Sequence, residues 1–205
     1  MNINELKALN LHCSKDLTQN MLCAIYIDCK VDTYTVVSTD GHTMLWKEFY
    51  NNKWGLLILL MNEKFGITMP EKPESGFIVT DKKIRKGIDL STIYTSTKDT
   101  THTYPQYEEC IPLTKDLNRD VFEMPVFALH VLERVHKTYK LLEHPKTFFL
   151  PKWKSIIGPC IEEIYNGWNL LVMPIRAEII DNDGFKIYWK NYLNSEKSKY
   201  KGILA

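Results

Sequence analysis

The chain has little that would mark it as an enzyme, a membrane protein or a secreted protein. It contains no Gly-rich phosphate loop, no G-x-S-x-G turn and no H-E-x-x-H helix. Its longest apolar run, Leu56–Met61, is six residues, far short of the ~20 that cross a bilayer as a helix. The N-terminus is polar and lacks a hydrophobic core segment, so no signal peptide is expected. The five cysteines (Cys13, Cys23, Cys29, Cys110, Cys160) are odd in number and scattered, with no C-x-x-C pair. That pattern argues against a disulfide framework and a structural zinc, and predicts buried free thiols in a reducing cytoplasm. The histidines lack ligand spacing; His130 and His136, six apart, point to different sides of a helix. Asp181-Asn182-Asp183-Gly184 reads as a turn, because the twelfth position of a calcium loop would be Tyr192. No catalytic residue, metal or cofactor is expected. An excess of positive charge is also missing: 26 basic residues face 25 acidic ones, net +1. Nucleic-acid contact would therefore have to come from a local patch.

What is present is enough for a packed core. The chain has 205 residues, 44% of them apolar, which suffices for one domain or two small ones. Residues 1–18 read as a short edge segment and then a helix. Asn2 and Glu5 suit a capping box, and Leu6, Leu9, Cys13 and Leu17 make an apolar stripe behind Ile3. Leu22–Asp28 reads as a strand, Lys30–Thr33 as a turn, and Tyr34–Trp46 as a hairpin around Asp40-Gly41. Periodicity leaves Trp54–Met61 open between buried strand and short helix, and Asn62–Gly76 reads as loop. Gly76–Thr80 is a strand, Thr80 caps a short helix over Asp81–Asp89, and Ser91–Thr103 holds a strand or two. The strongest helix is expected within 120–144, with Pro125 in its first turn. Its stripe is Leu129, Leu132, Val135 or His136, Tyr139 and Leu142, and Pro145 ends it. Strands follow at Thr147–Leu150 and Lys154–Ile157, then a hairpin, Cys160–Tyr165 and Trp168–Arg176, joined by Asn166-Gly167. Glu178–Ile180 and Phe185–Trp189 complete the expected strands.

Element order thus repeats: strand, helix, then antiparallel strands. Two β-α-β-β-β halves predict an α+β fold, an antiparallel sheet with helices on one face. The expected organisation is a first segment, 1–113, a second, 119–180, packing with it as one domain or two, and an extension over 181–205.

Four separated stretches carry a resemblance. They are Leu6–Asp28, with Leu22 just before Cys-Ala-Ile-Tyr-Ile; Ser38-Thr39-Asp40-Gly41-His42; Tyr104-Pro105-Gln106-Tyr107-Glu108-Glu109-Cys110-Ile111-Pro112; and Leu171-Val172-Met173-Pro174-Ile175-Arg176. In this order they resemble the bacterial DNA polymerase III β sliding clamp family, whose signatures are Thr-Asp-Gly-His, aromatic-Pro-Asp-Tyr and Val-Met-Pro-Met-Arg. The chain departs from that family by holding material for one to one and a half of its three repeats. Thr43 stands where the family usually has Arg, and Glu108-Glu109 stand where basic residues are common.

The resemblance implies a non-enzymatic clamp-like protein with a DNA-clamp fold. It implies a pocket for short linear peptides of DNA polymerase or repair partners. Leu22, Thr39, Gly41, His42, Met44, Pro105, Cys110, Leu171 and Met173 would line it. It also implies contact with double-stranded DNA without sequence specificity, through phosphate electrostatics. The candidate DNA-facing residues are Lys82, Lys83, Arg85 and Lys86, then Arg134, Lys137 and Lys140 on the long helix, with Lys7 and Lys15 nearby. One chain is too short to close a ring, so a ring would be a homo-oligomer. The alternative is a monomeric adaptor or decoy that binds partner peptides without encircling DNA; an enzyme with an unfamiliar site is a third reading.

Overall fold

The computed structural model describes residues 1–16, 20–78, 94–99, 103–113, 117, 125–145, 149, 151–153 and 158–174. The sequence-predicted elements at 79–93, 154–157 and beyond 174, and the extension over 181–205, lie outside the described residues.

The first helix, α1 (Ile3–Leu11), begins at the anticipated capping box. Asn2 Oδ1 accepts from the Asn4 and Glu5 N–H groups, and Glu5 Oε2 accepts from the Asn2 N–H. Such a cap contributes about 1 kcal/mol. The helix ends at Leu11, earlier than the stripe to Leu17 suggested, because His12 turns inward onto tertiary partners. A 3-10 turn, Asn20–Cys23, then reverses the chain, so the first strand starts later than expected and Leu22 precedes it. A meander follows: β1 (Ile25–Cys29), β2 (Thr33–Thr39) and β3 (Thr43–Tyr50).

The ambiguous apolar run is a helix, α2 (Trp54–Phe65), and it extends into the residues expected to be loop. Trp54, Leu57 and Met61 are buried at three- and four-residue steps, while Leu56 and Leu59 are exposed. Gly66, at φ +64°, caps the helix in the left-handed region. Two short strands, β4 (Gly76–Ile78) and β5 (Tyr94–Ser96), complete the first segment.

The long helix, α3 (Leu129–Leu141), starts four residues after Pro125 rather than around it. Its buried set is Val131, Val135, Thr138 and Tyr139, with Leu142 at the cap; Leu129 is exposed. Val135, Tyr139 and Leu142 of the sequence stripe face inward, joined by Val131 and Thr138, while Leu132 is half-buried. Tyr139 donates its hydroxyl hydrogen to the buried Glu162 carboxylate, Arg134 reaches the central hairpin, and Thr138 meets His12 at the end of α1. Then come β6 (Lys152–Trp153), a strand the sequence reading had not placed, β7 (Cys160–Ile164) and β8 (Trp168–Val172). Asn166 and Gly167, both at positive φ, make the turn between the last two, as anticipated.

The fold is α+β. The eight strands among the described residues form one antiparallel sheet, ordered β5-β4-β1-β2-β3-β8-β7-β6. A helix followed by a three-strand meander occurs twice, as α1-β1-β2-β3 and α3-β6-β7-β8. The third strands of the two meanders pair with each other, and α1 packs on α3. The helices lie on one face, toward Tyr34, Val36, Ser38, Thr43 and Leu45. Ser38 Oγ donates to the Leu9 carbonyl of α1 at 2.7 Å, and Trp54 of α2 packs edge-on against Tyr34. Glu5 ties the two units together: its Oε1 accepts from Trp168 Nε1 at 3.0 Å and pairs with Lys47 at 3.5 Å.

The opposite face, helix-free among the described residues, carries Tyr26, Asp28, Val37, Thr39, Met44, Trp46 and Leu171. It is crossed by residues 103–111, where Tyr104 stacks on Tyr26 at 4.6 Å. Residues 107–110 form a 3-10 turn. All five cysteines are free. Cys13, Cys23 and Cys160 are buried as expected, whereas Cys110 is exposed, because that turn runs along the outside of the sheet.

Candidate functional site

The central hairpin closes through Asp40–Thr43. Gly41 takes φ +86°, as a turn centre there requires. Asp40 stays at negative φ and works through its side chain instead: Oδ1 accepts from the His42 N–H at 3.0 Å and the Thr43 N–H at 2.8 Å. Thr39 Oγ1 donates to the Thr43 carbonyl at 2.7 Å and accepts from the Gly41 N–H at 3.1 Å. Two short polar side chains thus brace the turn from inside.

The turn is also held from the helix side. Arg134 of α3 forms an ion pair with Asp40 Oδ2 and donates to Thr43 Oγ1 at 2.7 Å. His12, fully buried at the end of α1, sits between Thr43 Oγ1 and Thr138 Oγ1, 2.9 Å from each. Burial, reinforced by Arg134, lowers the His12 pKa to about 3, so the ring is neutral with one N–H. Thr138 Oγ1 donates to the Arg134 carbonyl at 2.9 Å and Thr43 Oγ1 to Asp40 Oδ1 at 3.1 Å, and each hydroxyl is also hydrogen-bonded to one His12 ring nitrogen. Burial opposes ionisation of Asp40, yet Arg134 and the Thr43 and His42 N–H groups hold its pKa below the ordinary value. None of these roles was legible beforehand, since Asp40 and Arg134 are 94 residues apart. Arg134, expected to face DNA, has its guanidinium engaged here, whereas Lys137 and Lys140 are exposed.

The end of the last strand meets the turn from the side. Met44 lies opposite Leu171 and Thr43 opposite Val172. Beyond the strand, the Met173 N–H donates to the His42 carbonyl at 2.8 Å. Thr39, Gly41, His42, Met44, Leu171 and Met173 are therefore gathered at one end of the sheet. Met44 and Leu171 are 3% and 4% exposed, Met173 is half-buried, and Gly41 and His42 are open. Leu22, half-buried, is held near this end by its carbonyl, which accepts from the Ser14 N–H at 2.7 Å, two residues past His12. Pro105 follows the buried Tyr104, whose phenol faces the Thr39 backbone. Cys110 lies farther along, past Tyr107, at the exposed end of the crossing segment. Lys82, Lys83, Arg85 and Lys86 lie outside the described residues.

No group of three or more His, Cys, Asp or Glu among the described residues could hold a metal ion. No helix among them is long and apolar enough to cross a membrane.

Among the described residues the architecture is an α+β fold with one antiparallel sheet, helices on one face and a braced turn at one end of it. Solved structures similar to the chain are DNA polymerase III β sliding clamps. One is the DNA polymerase III beta chain of Streptococcus pneumoniae TIGR4, with 9% identity, 84% of this chain and 62% of that chain covered, and a TM-score of 0.48. Another is the beta subunit of Thermotoga maritima, with 12% identity, coverage of 85% and 63%, and a TM-score of 0.45. A third is the sliding clamp of Bartonella birtlesii bound to griselimycin, with 14% identity, coverage of 85% and 63%, and a TM-score of 0.46. The chain thus spans 62–63% of the length of these three. No protein-family model and no curated protein matches the sequence.

Proposed function

We propose that this chain is a non-enzymatic, sliding-clamp-like protein that binds short linear peptides of DNA replication or repair partners. The observation that carries the reading is the hydrogen bond from the Met173 N–H to the His42 carbonyl. The second and last of the four clamp-like sequence stretches, far apart in the chain, meet where His42 accepts from Met173, beside the Met44–Leu171 pair. Thr39, Gly41, His42 and Met173 form the rim, with Leu22 and Pro105 flanking it. Met44 and Leu171 form the floor, where Met supplies a surface that repacks around Leu or Phe anchors. Because that floor is nearly closed to solvent, binding is coupled to movement of the side chains above it. Cys110 is the outlying member of the set.

The test is a titration of a labelled Leu/Phe-containing peptide against the wild type and Met173→Ala. Micromolar binding by the wild type, weakened about tenfold or more in the variant, is expected, since a lost anchor contact is worth roughly 1–2 kcal/mol. An absence of wild-type binding, or equal binding by both proteins, would overturn the assignment.

The second part of the proposal is non-specific contact with double-stranded DNA through the helical face. Lys7 on α1 and Lys137 and Lys140 on α3 are exposed on helices that pack side by side. Lys82, Lys83, Arg85 and Lys86 belong to the same proposal on sequence grounds. Encircling DNA would require self-association, and light scattering at micromolar concentration distinguishes a ring from a monomeric adaptor.

A further inference from the structure

The segment crossing the helix-free face does not lie flat on it. Tyr104 stacks on Tyr26, and the Tyr107 hydroxyl donates to Asp28 Oδ2 at 3.0 Å. Around these two contacts opens a cavity of about 340 Å³, walled by Tyr26, Tyr104, Tyr107, Asp28, Glu108 and Glu109, with Pro105 and Gln106 at its edge. Its charge is one-sided. Among the described residues the only cation paired with its carboxylates is Lys30, which binds Glu108 at 2.6 Å. Glu109 is exposed and Asp28 half-buried, and neither has an ion-pair partner among the described residues. Aromatic faces beside carboxylates are the surroundings that hold a guanidinium or an ammonium group.

We propose that this cavity receives an Arg or Lys side chain of the bound peptide, three or four residues from its apolar anchor. The proposal rests on the peptide-binding reading and names the class of peptide that the site selects. The spacing follows from sheet geometry. Tyr26 pairs with Val37 and Val37 with Trp46, and Met44 is the next same-face residue along that strand. Two inter-strand steps of about 4.8 Å and one two-residue step of about 6.7 Å put Tyr26 roughly 12 Å from Met44. An extended peptide advancing about 3.4 Å per residue covers that span in three or four residues.

The experiment uses the full chain and fluorescence anisotropy with labelled peptides that differ at one position, three or four residues from a Leu/Phe anchor. That position is Arg, Ala or Glu. The Arg peptide is expected to bind about tenfold more tightly than the Glu peptide at low salt, with the advantage shrinking as salt is raised. In Glu108→Lys/Glu109→Lys, which alters two exposed side chains, the preference is expected to vanish or reverse, with circular dichroism unchanged. If the three peptides bind the wild type equally, the cavity has no such role, while the peptide pocket stands. If the Arg preference survives in the double variant, these carboxylates are not its source and the proposal is overturned. If no peptide binds at all, this proposal and the pocket both fall.

Discussion

Arg134, in the middle of the third helix, closes on Asp40 at the foot of the central turn, and the same guanidinium nitrogen donates to Thr43. The pair locks the second helical unit to the hairpin of the first. Both side chains are largely shielded from solvent, at 22% and 12% exposure. Removing the cation leaves a half-buried carboxylate short of a partner. Arg134→Met is therefore expected to lower stability by on the order of 2 kcal/mol, and Asp40→Asn by a similar amount. The double variant should lose less than the sum, and a urea-denaturation cycle reads the coupling directly. Strict additivity would show that the ion pair contributes nothing.

Acid should weaken the protein well before its carboxylates titrate. His12 has a folded pKa of about 3 against an ordinary 6.5, so folding favours the neutral ring. The unfolded chain therefore takes up the proton first. The contribution is complete above pH 6.5 and is lost as pH falls toward about 3. Asp40, whose pKa is also lowered, adds its own loss only below its ordinary value of 3.8. Between pH 6 and 4 the slope of stability against pH from His12 should approach about 1.4 kcal/mol per unit. Urea midpoints across this range, compared with His12→Gln, check it. An identical slope in the variant would exclude His12 as the cause.

Two glycines with open space around them should respond in opposite directions. A Cβ at Gly41 meets nothing within 4 Å, but the residue sits at φ +86°. Gly41→Ala is expected to cost about 1 kcal/mol through backbone strain alone. A Cβ at Gly55, in the first turn of α2, also meets nothing and the backbone is helical. Gly55→Ala should be neutral or stabilising, by up to about 1 kcal/mol. Thermal melts of both variants test the pair, and destabilisation by Gly55→Ala would contradict the assigned helix.

The exposed cations of the helical face give a separate test of DNA contact. Lys137→Glu/Lys140→Glu should weaken retention of double-stranded DNA and reduce the salt dependence of binding, since each lost phosphate contact lowers the slope by close to one. Stability should change little, because both side chains are exposed. Unchanged affinity and slope would return these lysines to the role of a solvated helix surface.

Local chemistry made several elements legible without coordinates. The Asn2–Glu5 cap, the Asn166-Gly167 turn and positive φ at Gly41 depend on groups within a few residues of one another. The β-branched Val36 and Val37 likewise marked a strand, and both of its faces are buried. Gathering Thr39–Met44 with Leu171–Met173 was anticipated only through the resemblance; neither stretch specifies its neighbour by periodicity.

The remaining features depended on what lay opposite each segment. Trp54–Met61 has a pattern that suits strand or helix, and packing of Trp54 against Tyr34 with a left-handed Gly66 behind it decided for helix. The third helix buries Val135, Tyr139 and Leu142 of its expected stripe but leaves Leu129 exposed and turns Val131 and Thr138 inward, Thr138 to meet His12. Cys110 came to the surface because its turn crosses the helix-free face of the sheet. Arg134 looked in sequence like one more cation on a basic face, yet it reaches inward to Asp40. Short-range propensity and turn chemistry are written in the order of residues. The partner of a charged or aromatic side chain is settled only when strands and helices distant in the chain are brought within a few ångströms, where burial makes an unmet polar group costly.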